Sequence, residues 1–278
     1  MKLELRDYIK IRDFIYKHSG LHFEEKKIYF VKKRLSIRMK ALAIESPKEY
    51  LWLLKYGDPD GKELQELINL LTTNETYFFR EFDQLAVFAE NCLQEVCASK
   101  EEKGNKTLRI WSAGCSTGEE PYTISIILLE MLDRYHSWDI EILATDIDTK
   151  VLKKAREGIY SRRAVKDVPE EYLEKYFIKN DDNYRVKSIV KRPVRFRHLN
   201  LIDEKKMRLI KGIDFLFCRN VLIYFDETTR ISVVSNFYDS LNVGGYIFLG
   251  HSESMSRIST AFALRRKNGF IVYQKVED

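Results

Sequence analysis

From about residue 107 onward, apolar strand segments alternate with helical segments, and this alternation constrains the fold of the 278-residue chain more than any other feature. The strand segments are rich in β-branched and aromatic residues, whereas the helical segments follow turn residues. The predicted strands are 108–111, 140–144, 214–218 and 246–249, and the predicted helices are 121–132, 148–156 and 226–241. Strands that alternate with helices form parallel sheets covered on both faces. The sequence therefore predicts an α/β domain with a doubly wound sheet.

Two segments depart from this alternation. Asn268-Gly269 separates the apolar segments 262–264 and 270–273, and Asn-Gly between two strands is the strongest short-range signal for a hairpin. We therefore expect the sheet to end in an antiparallel hairpin. The segment from about 174 to 198 contains short strand patterns among polar turns, which predicts a small β subdomain inserted in the sheet domain.

The first 72 residues carry a different pattern, that of short amphipathic helices. In the clearest of these helices, one face should pack inward and consists of Ile28, Val31, Leu35, Met39 and Leu42. Residues 1–55 contain 14 Lys and Arg against seven Asp and Glu, which predicts a small basic all-α domain at 1–72. We place the sheet domain at 73–278, with a linking helix at 82–99.

Arg34 and Arg38 lie on one flank of this basic helix. A solvated helix surface would explain such a flank, and so would a docking surface for an acidic partner. Nucleic acid, a membrane surface and an acidic protein face all satisfy the charge, so composition does not choose among them.

The four cysteines, Cys92, Cys97, Cys115 and Cys218, show neither a CxxC pair nor a histidine at zinc-ligand spacing. We therefore expect buried, reduced thiols and no metal site. Cys115 and Cys218 lie at the ends of predicted strands, but neither has a neighbouring histidine that would activate it as a nucleophile. The chain contains no run of about 18 apolar residues and begins with charged residues, which predicts a cytoplasmic protein without membrane insertion.

In a doubly wound sheet, ligands bind beyond the carboxyl ends of the strands, where the strand order reverses. After the first predicted strand, Gly114 and Gly118 form a loop that lacks the GxGxxG spacing of dinucleotide sites. Glu119 follows at the start of a helix, where a dinucleotide site would hold its pyrophosphate. A carboxylate there repels phosphate and suits a cationic ligand. Glu119 is therefore a candidate ligand contact, and Glu120 is assigned to capping the helix.

Polar side chains also follow the other predicted strands. Asp146 lies 28 residues beyond Gly118, near the offset at which such folds bind ribose hydroxyls, and Asp148 is the expected N-cap of the next helix. The remaining candidates follow later segments, and from spacing alone they suit the core or a turn as well as a site: Asn200, Leu201, Arg219, Asn220 and Tyr224.

Five motifs, taken together, resemble the chemotaxis receptor methyltransferases of the CheR type, in the order of that family and over essentially the whole chain. The motifs are TTNETYFFRE (72–81), WSAGCSTGEEPYT (111–123), ATDIDTKVL (144–152), FCRNVLIYFD (217–226) and GGYIFLGHSES (244–254). The resemblance implies a small all-α domain followed by a Rossmann-like class I methyltransferase domain with an inserted β subdomain. It also implies S-adenosylmethionine as the cofactor, which carries a positive charge and no phosphate, and S-adenosylhomocysteine as the product.

Carried over residue by residue, the resemblance implies a set of site residues. Tyr224 matches the tyrosine beside the reacting centre, and Arg80 is assigned a catalytic role as well as a cofactor contact. The implied cofactor contacts are Asn74, Thr76, Arg80, Glu119, Asp146, Asn200, Leu201, Arg219 and Asn220. Because the methylation helices of receptors are acidic, the resemblance also favours receptor docking for Arg34 and Arg38.

The implied reaction is methylation of receptor glutamates to 5-O-methyl esters. A glutamate side chain has a pKa near 4.3 and is ionised at neutral pH, so no general base is required. Transfer joins an anion to a cation, and an arginine that gripped the substrate carboxylate would favour the ground state. We therefore assign Arg80 to the carboxylate of the cofactor and Tyr224 to a neutral hydrogen bond with the substrate.

The expected partners are the cytoplasmic methylation helices of receptors in membrane arrays. The turn 179–183 is short, so we expect no tether to a peptide at a receptor's C-terminus. Two other functions remain as alternatives, a methyltransferase for nucleic acid or a small molecule, and a non-catalytic cofactor-binding module. The sequence lacks an Asn-Pro-Pro-Tyr-like segment and a Pro-Cys nucleophile, which disfavours the first and predicts no nucleic-acid partner.

Overall fold

A computed structural model describes residues 4–255 and 258–277. The N-terminal region is helical, as predicted, and comprises α1 (Leu5–Ser19), a 3₁₀ turn (Glu25–Lys27), α2 (Ile28–Ala41), α3 (Pro47–Trp52), a π-helical turn (Leu53–Gly57) and α4 (Lys62–Leu71). These helices enclose a small core of their own, in which Tyr8, Val31 and Leu67 are fully buried. Apolar residues at helical spacing thus bury one face of each helix.

The predicted inward face of α2 is confirmed over most of its length. Val31, Leu35 and Met39 are buried, and Ile28 packs partly against the same core. Leu42 is an exception, since the helix ends at Ala41 and the Leu42 side chain is 39% exposed. The apolar spacing therefore continues one residue beyond the helix that produces it.

The linking helix begins at Phe82, as predicted, and runs to Glu102 as α5 (Phe82–Val87), a π-helical turn (Phe88–Cys92) and α6 (Leu93–Glu102). Phe88 anchors it to the sheet, because its ring contacts the rings of Phe215 and Phe217 edge-on, each at 5.1 Å between centroids. Aromatic rings prefer this edge-to-face arrangement. The link is therefore part of the core of the sheet domain.

Beyond residue 106, strands and helices alternate as predicted. The main sheet contains β1 (Thr107–Ala113), β2 (Asp139–Asp146), β6 (Val194–His198), β7 (Ile213–Cys218), β8 (Leu241–Leu249), β9 (Phe262–Lys267) and β10 (Phe270–Lys275). The small sheet contains β3 (Ile159–Ser161), β4 (Phe177–Asn180) and β5 (Asn183–Val186). The helices are α7 (Glu119–Met131), α8 (Thr149–Glu157), α9 (Glu170–Tyr176), α10 (Ser188–Lys191), α11 (Glu204–Met207) and α12 (Glu227–Ser240).

The strand order of the main sheet is β6-β2-β1-β7-β8-β10-β9, in which β10 pairs antiparallel with β8 and β9 and the remaining pairs are parallel. The chain moves from β1 to β2 on one side and later to β7 on the other, so the order reverses at β1. Alternate residues supply two cores: Ile110 faces α7, whereas Trp111 faces α12 and contacts Phe237. A doubly wound sheet is thus confirmed.

The terminal hairpin is also confirmed. Asn268 and Gly269 connect β9 to β10, and both have positive φ angles, 48° and 84°. The left-handed backbone at two consecutive residues is the conformation that favours Asn-Gly in two-residue hairpins.

The prediction of the inserted β subdomain is partly wrong in its strands. The inserted sheet has the order β3-β5-β4, and it includes Ile159–Ser161, upstream of the predicted segment. Val194–His198, which we assigned to the insertion, is instead the edge strand of the main sheet, parallel to β2. A five-residue strand has the same local pattern in either sheet, and only its partner distinguishes them.

The helical domain covers the carboxyl ends of the parallel strands. The Tyr16 hydroxyl donates to Asp226 at 2.9 Å, and the backbone N–H of His22 donates to the carbonyl of Tyr224 at 2.9 Å. From α4, Gln65 donates to the carbonyl of Ile147 at 2.8 Å. None of the helices in the described ranges is long and apolar enough to span a membrane.

Candidate active site

A cavity of about 250 Å³ opens at the carboxyl ends of β1, β2 and β7, where the strand order reverses. Nine of the ten predicted site residues line it: Asn74, Thr76, Arg80, Asp146, Asn200, Leu201, Arg219, Asn220 and Tyr224. Ser19 and Leu21 from the helical domain complete its wall. The structure therefore brings together segments that are far apart in the sequence, although their individual contacts with a ligand stay predictions.

The glycine loop after β1 lets two strand ends approach closely. Gly114 has φ +83°, and a Cβ atom built there would lie 2.3 Å from Cγ2 of Val221. Any side chain at this position would push apart the loops that follow β1 and β7. Gly114 is thus required by packing as well as by the turn.

Asp146 is buried at the end of β2, and its carboxylate is held by the backbone. One oxygen accepts from the N–H of Ser116 at 2.8 Å, and the other accepts from the N–H of Asp148 at 2.9 Å. Burial raises the pKa of Asp146 to about 6, against opposing hydrogen bonds from the same two N–H groups. The cavity therefore contains an acid whose charge a cationic ligand would favour.

Asp148 is the N-cap of α8, as predicted, and accepts from the N–H groups of Lys150 and Val151. Its other oxygen accepts from Thr72 at 2.9 Å and from Asn74 at 3.0 Å. One carboxylate thus caps the helix and holds residues 72–81, which we call the lid segment.

Glu119 and Glu120 lie in surroundings that differ from those that we predicted, and the cofactor contact of Glu119 stays a prediction. Glu119 is buried, accepts from the Thr117 hydroxyl at 2.7 Å and is not among the residues that line the cavity. Glu120 lines the cavity and accepts from Ser112 at 2.7 Å and from Arg219 at 3.2 Å, and within the described ranges it forms no capping bond. Neighbouring helical residues point about 100° apart, and spacing alone could not show which one faces the strand ends. Burial raises the pKa of both carboxyls.

Arg219 is an almost fully buried cation between two acids. Its guanidinium lies 3.1 Å from Glu81 and 3.2 Å from Glu120, and it also donates to the backbone carbonyl of Arg80. Within the described ranges, its Nε atom is buried without a hydrogen-bond partner. The protein therefore engages both terminal nitrogens of Arg219, and its cofactor contact stays a prediction.

Arg80 differs from Arg219 in having no acidic partner among the described residues. Its guanidinium donates to the backbone carbonyl of Glu75 and lies 5.9 Å from the centre of the Tyr77 ring. In the same lid segment, the carbonyl of Thr73 accepts from the Tyr224 hydroxyl at 3.1 Å. Burial raises the pKa of Tyr224, so its phenol stays neutral. A free cation and a neutral hydroxyl thus line the cavity together.

Asn200 and Leu201 border the cavity near the helical domain. Asn200 donates from its amide to the carbonyl of His18 at 2.7 Å, and Leu201 is buried. Sequence reasoning missed Glu81 and Glu253, although both lie within quoted motifs, because nothing in their spacing shows that each carboxylate reaches Asn220.

The structure places the two predicted docking arginines in different surroundings. Arg38 donates to Glu63, with one contact at 2.6 Å, and only 16% of its side chain is exposed. Arg34 lies 3.7 Å from the centre of the Phe30 ring and donates to the carbonyl of Leu70. Arg38 is therefore occupied within the domain, which weighs against the exposed flank that the helical pattern predicts for it.

All four cysteines are buried and unpaired, as expected of reduced thiols. Burial raises the pKa values of Cys115 and Cys218 well above that of a free thiol. Both thiols stay protonated, which argues against a cysteine nucleophile.

The doubly wound sheet with its terminal hairpin, and a cavity where the strand order reverses, agree with the class that the resemblance implies, the Rossmann-like methyltransferases that use S-adenosylmethionine. Residues 74–270 match the CheR methyltransferase, SAM binding domain, and residues 6–72 match the CheR methyltransferase, all-alpha domain. Because these matches cover most of the chain, it belongs to the CheR methyltransferase family and is a methyltransferase that uses S-adenosylmethionine.

Named relatives agree with this assignment. Chemotaxis protein methyltransferase 2 of Vibrio cholerae is 44% identical over 261 residues, which cover 94% of this chain and 89% of the relative. The chemotaxis protein methyltransferase of Borreliella burgdorferi is 40% identical over 91% of this chain and 89% of the relative. That of Escherichia coli is 36% identical over 100% of this chain and 94% of the relative.

The residues of the cavity fit this cofactor. Asp146 places on the cavity wall a buried carboxylate without a cationic partner in the described ranges, which suits a cationic ligand without phosphate, and Arg80 is free to meet an anionic group. When bound, S-adenosylmethionine supplies a methyl group on a positively charged sulfur and leaves as S-adenosylhomocysteine.

Cofactor affinity should depend on pH because of Asp146. The pKa of Asp146, about 6, exceeds the ordinary value of 3.8, so the folded protein without ligand holds a proton on this carboxyl below pH 6. Because the folded state binds this proton more tightly than the unfolded chain does, the proton stabilises the fold, and that stabilisation is lost as the pH rises through 6. A cationic ligand favours the ionised form and must release that proton. We expect calorimetry to show affinity falling by up to about tenfold per pH unit below pH 6, with proton release. Asp146→Asn should flatten the profile, and equal affinity at pH 5 and 7 in the unaltered protein would contradict this role.

Proposed function

We propose that the chain transfers the methyl group of S-adenosylmethionine to glutamate carboxylates on the cytoplasmic methylation helices of chemotaxis receptors and forms 5-O-methyl esters. The observation that carries this proposal is the match to chemotaxis methyltransferases over nearly the whole chain, together with a cavity that contains Arg80 and Tyr224. Because such receptors lie in membrane arrays, the protein would work beside the membrane without entering it.

The cavity suits a substrate that needs no activation. A glutamate carboxylate is already ionised at neutral pH, and no histidine lines the cavity within the described ranges. Tyr224, kept neutral by burial, can orient the substrate oxygen without stabilising its charge once the lid segment releases the hydroxyl from Thr73. Rate enhancement would then come from positioning and from exclusion of water.

The remaining residues of the cavity would hold the cofactor. We assign Arg80 to its methionyl carboxylate, whose charge does not change during the reaction. Asp146 would bind the ribose hydroxyls, Asn200 and Leu201 would border the adenine, and Asn74, Thr76 and Asn220 would close the other side. Arg219 would contact the cofactor and keep Glu120 in place.

The product of the reaction tests the proposed function. The protein is incubated with methyl-labelled S-adenosylmethionine and either a receptor cytoplasmic fragment or RNA, and each product is then treated with mild alkali. We expect label on the receptor fragment that alkali releases, since a carboxyl ester is alkali-labile. Label on RNA would support a nucleic-acid methyltransferase, and label on neither would support a non-catalytic module. Either result contradicts the proposal.

Arg80→Ala should weaken cofactor binding by about tenfold or more, because it removes a charge-assisted hydrogen bond in a sheltered site. Calorimetric titration with S-adenosylmethionine measures this. Lys166→Ala is the matched control, since Lys166 lies 4.7 Å from the same Tyr77 ring but does not line the cavity. Unchanged affinity with lost turnover in Arg80→Ala would reassign Arg80 to the substrate.

The outer face of α2 is the docking surface that we propose for the acidic receptor helices. Tyr29, Lys32, Lys33, Ser36, Ile37 and Lys40 line a shallow depression there. Tyr29 is 80% exposed and Ile37 is 48% exposed, and Lys33 and Lys40 form no ion pair with an acid in the described ranges. An acidic amphipathic helix would bind these free cations and the exposed apolar groups beside them better than it would bind Arg38, which is paired with Glu63. Arg34 lies on the adjoining flank of the helix.

Lys33→Glu should raise the receptor concentration at half-maximal rate by severalfold and leave cofactor affinity unchanged, because it reverses one docking charge. The initial rate of methylation against receptor concentration at low and high salt measures the effect, which salt should diminish. Lys103→Glu, at the remote end of α6, is the matched control. Arg38→Ala should instead lower the urea midpoint, since it leaves Glu63 unpaired. Equal effects of Lys33→Glu and Lys103→Glu would refute this docking surface.

A second surface bears on receptor binding. The turn between β4 and β5 is only two residues long, Asp181 and Asp182. This turn therefore has no extension that could hold a peptide, and we propose that this protein acts without a tether to a receptor tail.

A further inference from the structure

Glu253 lies in the loop after β8, outside the set of residues that we predicted for the site. Its carboxylate reaches across to the loop after β7. One oxygen accepts from the N–H groups of Asn220 and Gly250, each at 2.8 Å, and the other accepts from Val221 at 3.0 Å and Ile223 at 3.3 Å. A single side chain thus satisfies four backbone donors from two strand ends.

The backbone at this point needs such a partner. Asn220 has φ +61°, a left-handed conformation that is uncommon outside glycine, and it turns successive N–H groups toward the same side. Without an acceptor, these partly buried donors would remain unsatisfied, at a cost comparable to several lost hydrogen bonds. A carboxylate satisfies them with charge-assisted bonds, which are stronger than neutral ones.

The two loops are also packed tightly against each other. A Cβ atom at Gly250 would lie 2.8 Å from the backbone nitrogen of Asn220, so the glycine permits the approach that Glu253 completes. The loop held in this way carries the Asn220 side chain, which donates to Glu81 at 3.1 Å. It also carries the 3₁₀ turn Leu222–Tyr224, and both Asn220 and Tyr224 line the cavity.

We infer that Glu253 is a positioning residue of this methyltransferase, which holds Asn220 and Tyr224 in the cavity by fixing the backbone between them. This inference rests on the proposed function in so far as these two residues meet the cofactor and the substrate. The inference goes beyond the proposed function because it assigns the geometry of this part of the cavity wall to Glu253, a side chain that touches neither the cofactor nor the substrate.

Glu253→Gln tests the inference. The amide is nearly isosteric but replaces one acceptor with an NH₂ donor, which would face backbone N–H groups. We expect S-adenosylmethionine affinity to fall by about tenfold or more, and turnover at saturating cofactor and receptor to fall as well. Glu253→Asp keeps the charge and both acceptors, so it should recover much of the affinity that Glu253→Gln loses.

Asp214→Asn is the matched control for stability. Asp214 is a buried carboxylate at the opposite end of β7, where it accepts from the N–H of Arg109 at 2.9 Å and pairs with Lys100 at 2.8 Å. Its loss should lower the urea midpoint and leave cofactor affinity unchanged under folding conditions. If Glu253→Gln likewise changed only the midpoint, Glu253 would be structural and the inference would be wrong.

A double-mutant cycle with Asn220→Gly separates positioning from a general loss of packing. Glycine keeps the left-handed backbone and removes the side chain that Glu253 positions. For cofactor affinity, Glu253→Gln should cost much less in the Asn220→Gly background than in the unaltered protein. Fully additive effects would overturn the inference. The cycle measures cofactor binding, so its result does not depend on which substrate the protein methylates. The identity of the substrate is tested separately, by receptor methylation with the unaltered protein.

Discussion

The arrangement of the cavity depends on the ion pairs that the buried guanidinium of Arg219 forms with two acids. Arg219 follows β7 and lies between Glu81 of the lid segment and Glu120 of α7, so three distant parts of the chain meet at one cation. Two carboxylates this close would repel each other without a positive charge between them, and a buried arginine without acids would be costly. Each charge is therefore tolerated because of the others, which ties the lid segment to the sheet.

This dependence explains why the lid segment has an unusual backbone. Phe79 and Glu81 both have left-handed φ angles, 58° and 56°, in residues that rarely adopt them. The ion pair with Arg219 and the bond from the N–H of Phe79 to Thr123 at 3.2 Å hold these conformations. Asp148 thus holds one end of the lid segment and Arg219 holds the other. Arg80 lies between these two fixed ends.

Much of the fold follows from local pattern. The alternation after residue 107, the Asn-Gly hairpin and the inward face of α2 were predictable because each depends on residues close in sequence. The exceptions depend on partners. Val194–His198 has the pattern of a short strand, and nothing within it shows that it pairs with β2 instead of β5. Leu42 continues an apolar spacing beyond the end of its helix.

Prediction of the site from the sequence is limited in the same way, because the orientation of single side chains depends on their partners. Topology and motifs place nine of the ten predicted residues on the cavity wall, because parallel strands must end at one edge. Spacing alone could not show that Glu120 faces the cavity, because its orientation depends on where Ser112 and Arg219 lie. The helical pattern likewise predicts an exposed Arg38, because it cannot show that Glu63, 25 residues away in the sequence, pairs with it.

The distribution of charge suits a reaction in which an anion and a cation neutralise each other. The negative charges of Glu81 and Glu120 are balanced in part by Arg219, so they do not repel an approaching carboxylate as free acids would. Asp146 is a buried acid on the cavity wall without a cationic partner in the described ranges, and Arg80 is a cation on the same wall without an acid. A ligand with both charges would suit the two together, and in the proposed mechanism the neutral phenol of Tyr224 would leave the substrate oxygen free to lose its charge. In the proposed mechanism, the protein would favour the transition state by keeping strong charges away from the reacting oxygen.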